Sequence, residues 1–201
     1  MKYLITGGAG NIACQLTHIL PADAEVLLTD IASEPLMIPS ENSRFESSDI
    51  CDPAAVEQSV ALFKPDIVLH FASLLSGQSE DDRTSSWNVN MQGAFSVLEA
   101  SLRHDVSRVI FLSSLASFGS PLPDPVPEDY PQWPRGFYGF TKAAIERLGY
   151  YYRTTLGLDF RALRLPIIIS PFPSPGAASS YASNVFIAAV REGRFVMQVR
   201  P

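Results

Sequence analysis

Tyr138 and Lys142 are the residues of this chain best suited to moving a proton. They stand four apart, so on a helix they share one face, and the chain has only three lysines against seven tyrosines. A tyrosine acts as a general base near pH 7 only if its pKa falls from about 10 by roughly three units, or about 4 kcal/mol. A cation at about 5 Å contributes roughly 3 kcal/mol at an effective dielectric near 20. Lys142 together with one further positive charge would supply the whole shift. Ser113 and Ser114 follow an apolar run that reads as a strand, and a hydroxyl at the strand's carboxyl end would hold a substrate oxygen while Tyr138 moves its proton. The plain structural alternative is a packed aromatic, a surface lysine and serines that cap a loop.

The glycine pattern Gly7-x-x-Gly10-x-x-Ala13 tips the balance toward chemistry. Glycines there let the backbone turn sharply and approach a pyrophosphate, and free amides at a following helix start face its charge. Ala13 in the third position still permits close helix–strand packing. Asp30 lies twenty residues after Gly10, at the end of the next apolar run, where an acid can accept hydrogen bonds from an adenosine ribose. The residues after it are Ile31, Ala32 and Ser33. None can hold a 2′-phosphate, so NAD is favoured over NADP. The oxidised nicotinamide ring would also bring the second positive charge that Tyr138 needs, and Lys142 is placed to bind the nicotinamide ribose.

These residues need elements to position them. Strands are expected at Lys2–Thr6, Glu25–Thr29, Arg44–Ser48, Asp66–Phe71, Arg108–Ser113, Phe160–Leu165 and Phe195–Val199. Helices are expected at Asn11–Leu20, from Asp52 as N-cap to Phe63, then Arg83–Arg103, Tyr138–Leu156 and Tyr181–Glu192. Between them a proline-rich segment runs from Pro121 to Pro134, and Pro166 to Pro175 mark a second loop. Alternation of continuous apolar strands with helices predicts an α/β fold: a Rossmann-like doubly wound parallel sheet with the start of a small C-terminal substrate lobe. Residues 1–166 would form the dinucleotide-binding domain, catalytic helix included, and residues 167–201 part of the substrate lobe.

Composition narrows the partners. In 201 residues the net charge is −6, with 46% hydrophobic and 18% charged residues, which suits a globular core. No basic cluster offers a nucleic-acid or anionic membrane surface. No apolar run nears the roughly 20 residues that span a bilayer. Two cysteines, Cys14 and Cys51, suit a reducing cytoplasm and supply no metal cluster. The three histidines are scattered and read as packed or surface residues, and Glu80, Asp81 and Asp82 read as a solvated helix start. The helix from Tyr138 is apolar almost all round, with Phe140, Ile145, Leu148, Tyr151, Tyr152 and Leu156 off any single stripe. Such a helix needs a second partner, which makes a homodimer the expected state unless further chain covers it.

The set TGGAGNIA, Asp30, Asp49-Ile50, HFAS, NVNMQG, SSLASFG and YGFTK resembles the extended short-chain dehydrogenase/reductase family, which includes nucleotide-sugar epimerases and dehydratases. The resemblance spans nearly the whole chain. It implies that Tyr138 is the acid/base, Lys142 its partner and Ser114 an assisting hydroxyl. It also implies cofactor contacts at Gly7, Gly10, Asn11, Ile12, Asp30, Asp49, Ile50, Phe71, Ala72, Ser73, Asn90, Pro166 and Ile168. Asp49 and Ile50 match residues near the adenine, and Pro166 to Ile168 a segment holding the nicotinamide amide. Substrate contacts would fall at Ser76, Ser114 and Tyr138. Within the family, YYRTTLGLDFRALRLPIIIS and GAASSYASNVFIAAVREGRF are most similar to the short-chain type of L-threonine 3-dehydrogenase. LLSGQSEDD and FGSPLPDPVPED are also similar to sugar-acid dehydrogenases. Typical nucleotide-sugar epimerases carry Tyr where this chain has Phe118. Family members usually continue for roughly a hundred residues more, so either this chain is a piece of a longer protein or its cleft is open. The leading expectation is an NAD-dependent dehydrogenase of a small secondary alcohol. A nucleotide-sugar 4-epimerase that retains NAD, and a non-catalytic NAD-binding regulator, stand as alternatives.

Overall fold

Six strands, each of four to seven residues, form one parallel sheet. They are β1 (Lys2–Thr6), β2 (Glu25–Asp30), β3 (Ser43–Ser47), β4 (Ile67–His70), β5 (Arg108–Ser114) and β6 (Asp159–Leu165). Their spatial order is β3-β2-β1-β4-β5-β6, and every neighbouring pair runs parallel. The computed structural model describes residues 1–173, 177 and 179–196. The doubly wound α/β expectation holds, and the strand bounds lie within a residue or two of those read from sequence.

Alternation along the strands sends side chains to two cores. Leu4, Leu27, Val68, Val109 and Phe111 meet helices α2 (Pro53–Phe63), α5 (Ala94–Arg103) and α6 (Phe137–Thr155) on one face. Ile5, Val26, Leu28 and Leu69 meet α1 (Asn11–Thr17) on the other. The N-terminus of α2 follows the local code: Asp52 accepts from the Ala54 amide at 2.9 Å, and Pro53 occupies the first turn.

Several elements depart from expectation. Helix α1 ends at Thr17, not Leu20, and Glu80 and Asp81, expected at a helix start, instead end a short helix α3 (Ser76–Asp81). The helix expected over Arg83–Arg103 is present but not uniform. After α4 (Arg83–Ser86), residues Trp87–Gly93 widen into π-helical turns before α5 resumes. Glu80 is not merely solvated: its carboxylate accepts from the Phe137 amide at 2.6 Å and so caps α6, whose own N-cap, Gly136, has no side chain for the task. After α7 (Tyr181–Glu192), Phe195 and Val196 are in no strand, and the rest of the strand expected there lies outside the described residues. Among the described residues no helix is long and apolar enough to cross a membrane.

Gly149 shows how tightly α6 is seated. A Cβ built there would fall 2.1 Å from the ring of the buried Phe160 on β6. Glycine to alanine inside a helix ordinarily stabilises by about 0.5–1 kcal/mol. Here the overlap with a rigid, close-packed ring reverses the sign, since overpacking costs about 1–3 kcal/mol. Gly149→Ala is therefore expected to lower the urea midpoint; a variant as stable as the parent would show that α6 can shift off β6.

Candidate active site

The strand order reverses between β1 and β4, and ligand crevices of open α/β sheets lie at the carboxyl ends flanking such a point. The sequence-selected residues gather on that edge. Gly7 follows β1 with φ +70, and a Cβ on it would lie 2.6 Å from the Ala72 amide nitrogen beyond β4. Glycine is thus required both by the left-handed backbone and by the approach of the second chain segment. Gly8 is equally confined, against Leu28 and Thr29 of β2. Gly10, by contrast, is exposed, and a Cβ there would approach only the Gly7 carbonyl. The start of α1, including Asn11 and Ile12, carries no side-chain cap and no acid in its first turn. An open backbone beside uncapped amides fits a diphosphate group, so the loop passes the test for a dinucleotide.

Asp30 closes this corner from β2. One of its carboxylate oxygens accepts from the Ala9 amide at 3.1 Å and the other from the Ala32 amide at 3.0 Å. The acid therefore braces the glycine loop while its remaining lone pairs point to no protein donor among the described residues. Phe71, Ala72 and Ser73 line the opposite lip at the end of β4, all half-buried. Asn90 is buried in the π-helical turns and organises that lip: its amide accepts from the Leu74 amide at 2.8 Å and donates to the Leu74 carbonyl at 3.1 Å and to Thr141 on α6 at 3.2 Å. Widened turns of this kind frequently mark functional sites.

Not every candidate faces the crevice in the same way. The Asp49 carboxylate bonds the Cys51 amide at 2.8 Å. Ile50 packs where a Cβ on Gly93 would meet it at 2.8 Å and is partly buried against the helix core. Pro166 and Ile168 are exposed beyond β6. Ser76 is half-buried at the start of α3. Ser170, unmarked in the sequence, is buried and receives a bond from Asn11 at 2.7 Å, while its amide donates to Ser183 of α7 at 3.0 Å. These two bonds fasten the segment after β6 to α1, which follows the glycine loop, and to α7.

Tyr138, Ser114 and Lys142 meet at the end of β5. The Ser114 hydroxyl lies close enough to the Tyr138 phenol to favour its ionised form. The Lys142 ammonium lies 5.4 Å from the Tyr138 ring centroid and 4.7 Å from that of Phe111, and donates to the Leu112 carbonyl at 2.8 Å. The electrostatics of the chain alone run the other way. In the chain alone, burial pushes the Tyr138 phenol above its ordinary value, and the neighbouring Ser114 hydroxyl only partly offsets this. Lys142, 3% exposed, is itself pushed down to about 7 by burial, with Glu146 pulling the other way. A lysine so far desolvated is half-neutral near pH 7 and does not by itself ionise a phenol. Burial, followed by the Lys142 charge, lowers His70 to about 3, so that imidazole is neutral; it bonds Thr6 at 2.7 Å.

Sequence reading missed Glu146. Its carboxylate accepts from Ser113 at 2.5 Å, Gln132 at 3.0 Å and Arg164 at 2.6 Å. Burial alone would raise this carboxyl, but Arg164, Ser113 and Gln132 outweigh it and hold it below the usual carboxylate range. The one available signal was its position four residues after Lys142.

The chain is similar to known proteins over nearly its whole length. A sequence profile described as the NAD dependent epimerase/dehydratase family matches residues 3–199. An uncharacterized epimerase/dehydratase of Staphylococcus saprophyticus is 34% identical over 199 residues, covering 96% of this chain and 62% of that protein. The structure of L-threonine dehydrogenase from Clostridium difficile superposes with a TM-score of 0.89 at 31% identity, over 98% of this chain and 63% of that one. UDP-glucose 4-epimerase of Thermus thermophilus in complex with NAD gives 0.87 at 27% identity, over 98% and 64%. This chain therefore spans less than two thirds of the length of each.

The buried ammonium has a measurable consequence. The folded pKa of Lys142 lies below its unfolded value, so between about 7 and 10.5 the unfolded chain binds more protons. The destabilisation from Lys142 is thus full below pH 7 and fades as pH rises through that window. Lys142→Met is expected to raise the unfolding free energy at pH 6 by on the order of 1 kcal/mol, an advantage that vanishes toward pH 10. Denaturant titrations at both pH values check this; a variant less stable at pH 6 would contradict it.

Proposed function

Because the chain belongs to the NAD-dependent epimerase/dehydratase family, we propose that it is the nucleotide-binding and catalytic part of an NAD-dependent oxidoreductase acting on a small secondary alcohol. The observation that carries this reading is the meeting of the Tyr138 and Ser114 hydroxyls, beside Lys142, on the same sheet edge as the glycine crevice. Bound NAD supplies the hydride acceptor and a positively charged ring. Gly7, Gly10, Asn11 and Ile12 would hold its diphosphate, with Asp30, Asp49 and Ile50 on the adenosine side. Phe71, Ala72, Ser73, Asn90, Pro166 and Ile168 would line the remainder.

Tyr138 takes the proton of the substrate hydroxyl, and Ser114 holds the same oxygen by donating to it. Lys142 stabilises the phenolate to the extent that it is charged, and it anchors the nicotinamide ribose. Because burial opposes both charges in the chain alone, ionisation of Tyr138 becomes favourable only when further positive charge enters the site. Proton removal is thereby coupled to cofactor occupancy. Residues 167–201 begin the substrate lobe, with Ser76 on the facing lip. L-threonine is the first substrate to test and a four-carbon sugar acid the second. The likeness to L-threonine dehydrogenase supports that order. A 4-epimerase is the second reading, supported by the likeness to UDP-glucose 4-epimerase; it would retain tightly bound NAD without net reduction.

The state we propose is a cytoplasmic homodimer. Its supports are the half-exposed Trp87 and Phe95 on the helix before and through α5, and Phe140 and Tyr151 on α6. Phe95→Glu is expected to shift sedimentation from dimer to monomer; a wild-type chain already monomeric at micromolar concentration would remove the proposal.

The decisive experiment follows NADH absorbance with L-threonine and NAD. Tyr138→Phe should lower turnover by about 10²–10⁴-fold while leaving NAD affinity unchanged. Turnover undiminished by that substitution would end the catalytic reading.

A further inference from the structure

Lys142 needs a counter-charge, and the described structure offers few. Asp30 is committed to the Ala9 and Ala32 amides, Asp49 to that of Cys51, and Glu80 to that of Phe137. His70 on β4 is neutral, and Tyr138 on the same helix is a protonated phenol in the chain alone. From β5 the lysine meets only the Leu112 carbonyl and the Phe111 ring. One helical turn onward on α6, Glu146 lies on the same face as Lys142 and is 9% exposed. It remains ionised because Arg164 of β6 binds it through Nε at 3.0 Å to each oxygen and Nη2 at 2.6 Å, with Ser113 and Gln132 adding further donors. Arg164 is fixed in turn 4.6 Å over the Phe118 ring.

We propose that Glu146 is a positioning residue of this site. From within α6 it clamps the carboxyl end of β5 through Ser113, and it supplies the negative charge that faces Lys142. Ser113 immediately precedes Ser114, so the clamp fixes the backbone that carries the substrate-facing hydroxyl. Removing the carboxylate frees that strand end and leaves Lys142 with desolvation unopposed by any neighbouring anion. The inference rests on Tyr138 and Lys142 being the working pair, but its test needs no turnover.

The chain's three lysines, Lys2, Lys64 and Lys142, make side-chain ¹³C resonances of labelled lysine readily separable, with Lys142→Met giving the assignment. In the parent chain Lys142 should titrate near about 7. In Glu146→Gln its midpoint should fall by about one unit or more, with Lys2 and Lys64 unmoved. Glu146→Asp keeps the charge and should return the midpoint toward that of the parent, which a purely structural role would not do. If Glu146→Gln does not fold, Glu146→Gln combined with Arg164→Gln removes the ion pair as a unit, leaves no guanidinium without its carboxylate, and should still lower the Lys142 midpoint. A Lys142 midpoint unchanged in the folded glutamine variant overturns the inference. An active Tyr138→Phe enzyme would instead overturn the catalytic reading and leave the role of Glu146 as the neighbour of Lys142 intact.

Discussion

An ammonium group enclosed beneath the carboxyl end of a parallel sheet is opposed by its surroundings, because low-dielectric protein replaces the water that would stabilise its charge. Lys142 is in that position, and much of the local architecture serves to make it tolerable. The sheet contributes the Leu112 carbonyl and the face of Phe111, while α6 contributes Glu146. That carboxylate in turn stays charged only because Arg164, Ser113 and Gln132 converge on it from β6, β5 and the proline-rich loop. The same enclosure holds the Tyr138 phenol above its ordinary pKa.

The second constraint is backbone proximity. Parallel strands emerging side by side at β1 and β4 leave a narrow crevice, and Gly7 allows its two walls to come together. Asp30 stiffens one wall by holding Ala9, and Asn90 stiffens the other by holding Leu74. Both polar residues so act on backbone as much as on any ligand. Glu80 extends the pattern to α6, whose glycine N-cap it replaces in function.

Much of this was legible beforehand, for reasons specific to each element. The strands are continuous apolar runs because both faces of the central sheet are covered. The start of α2 was readable because Asp52-Pro53 is a local signal, satisfied within two residues. The π-helical turns at Trp87–Gly93 were not, because their composition fits an ordinary helix, and the bonds from Asn90 within them reach Leu74 and Thr141, which lie 16 and 51 residues away. Glu80 read as a solvated acid and Glu146 went unmarked for a similar reason: a carboxylate's partner cannot be read from its neighbours when that partner lies 57 or 18 residues away.

The sequence by itself determined the order of strands and helices, the glycine turn, the acid at the end of β2 and the four-residue spacing of Tyr138 and Lys142, since each depends on interactions within a few residues. Whether those two side chains carry charge was decided only by tertiary structure. Desolvation by β4, β5 and α6, and the carboxylate held ready by β6, arise from segments far apart in the chain, and ionisation follows the surroundings that folding brings together.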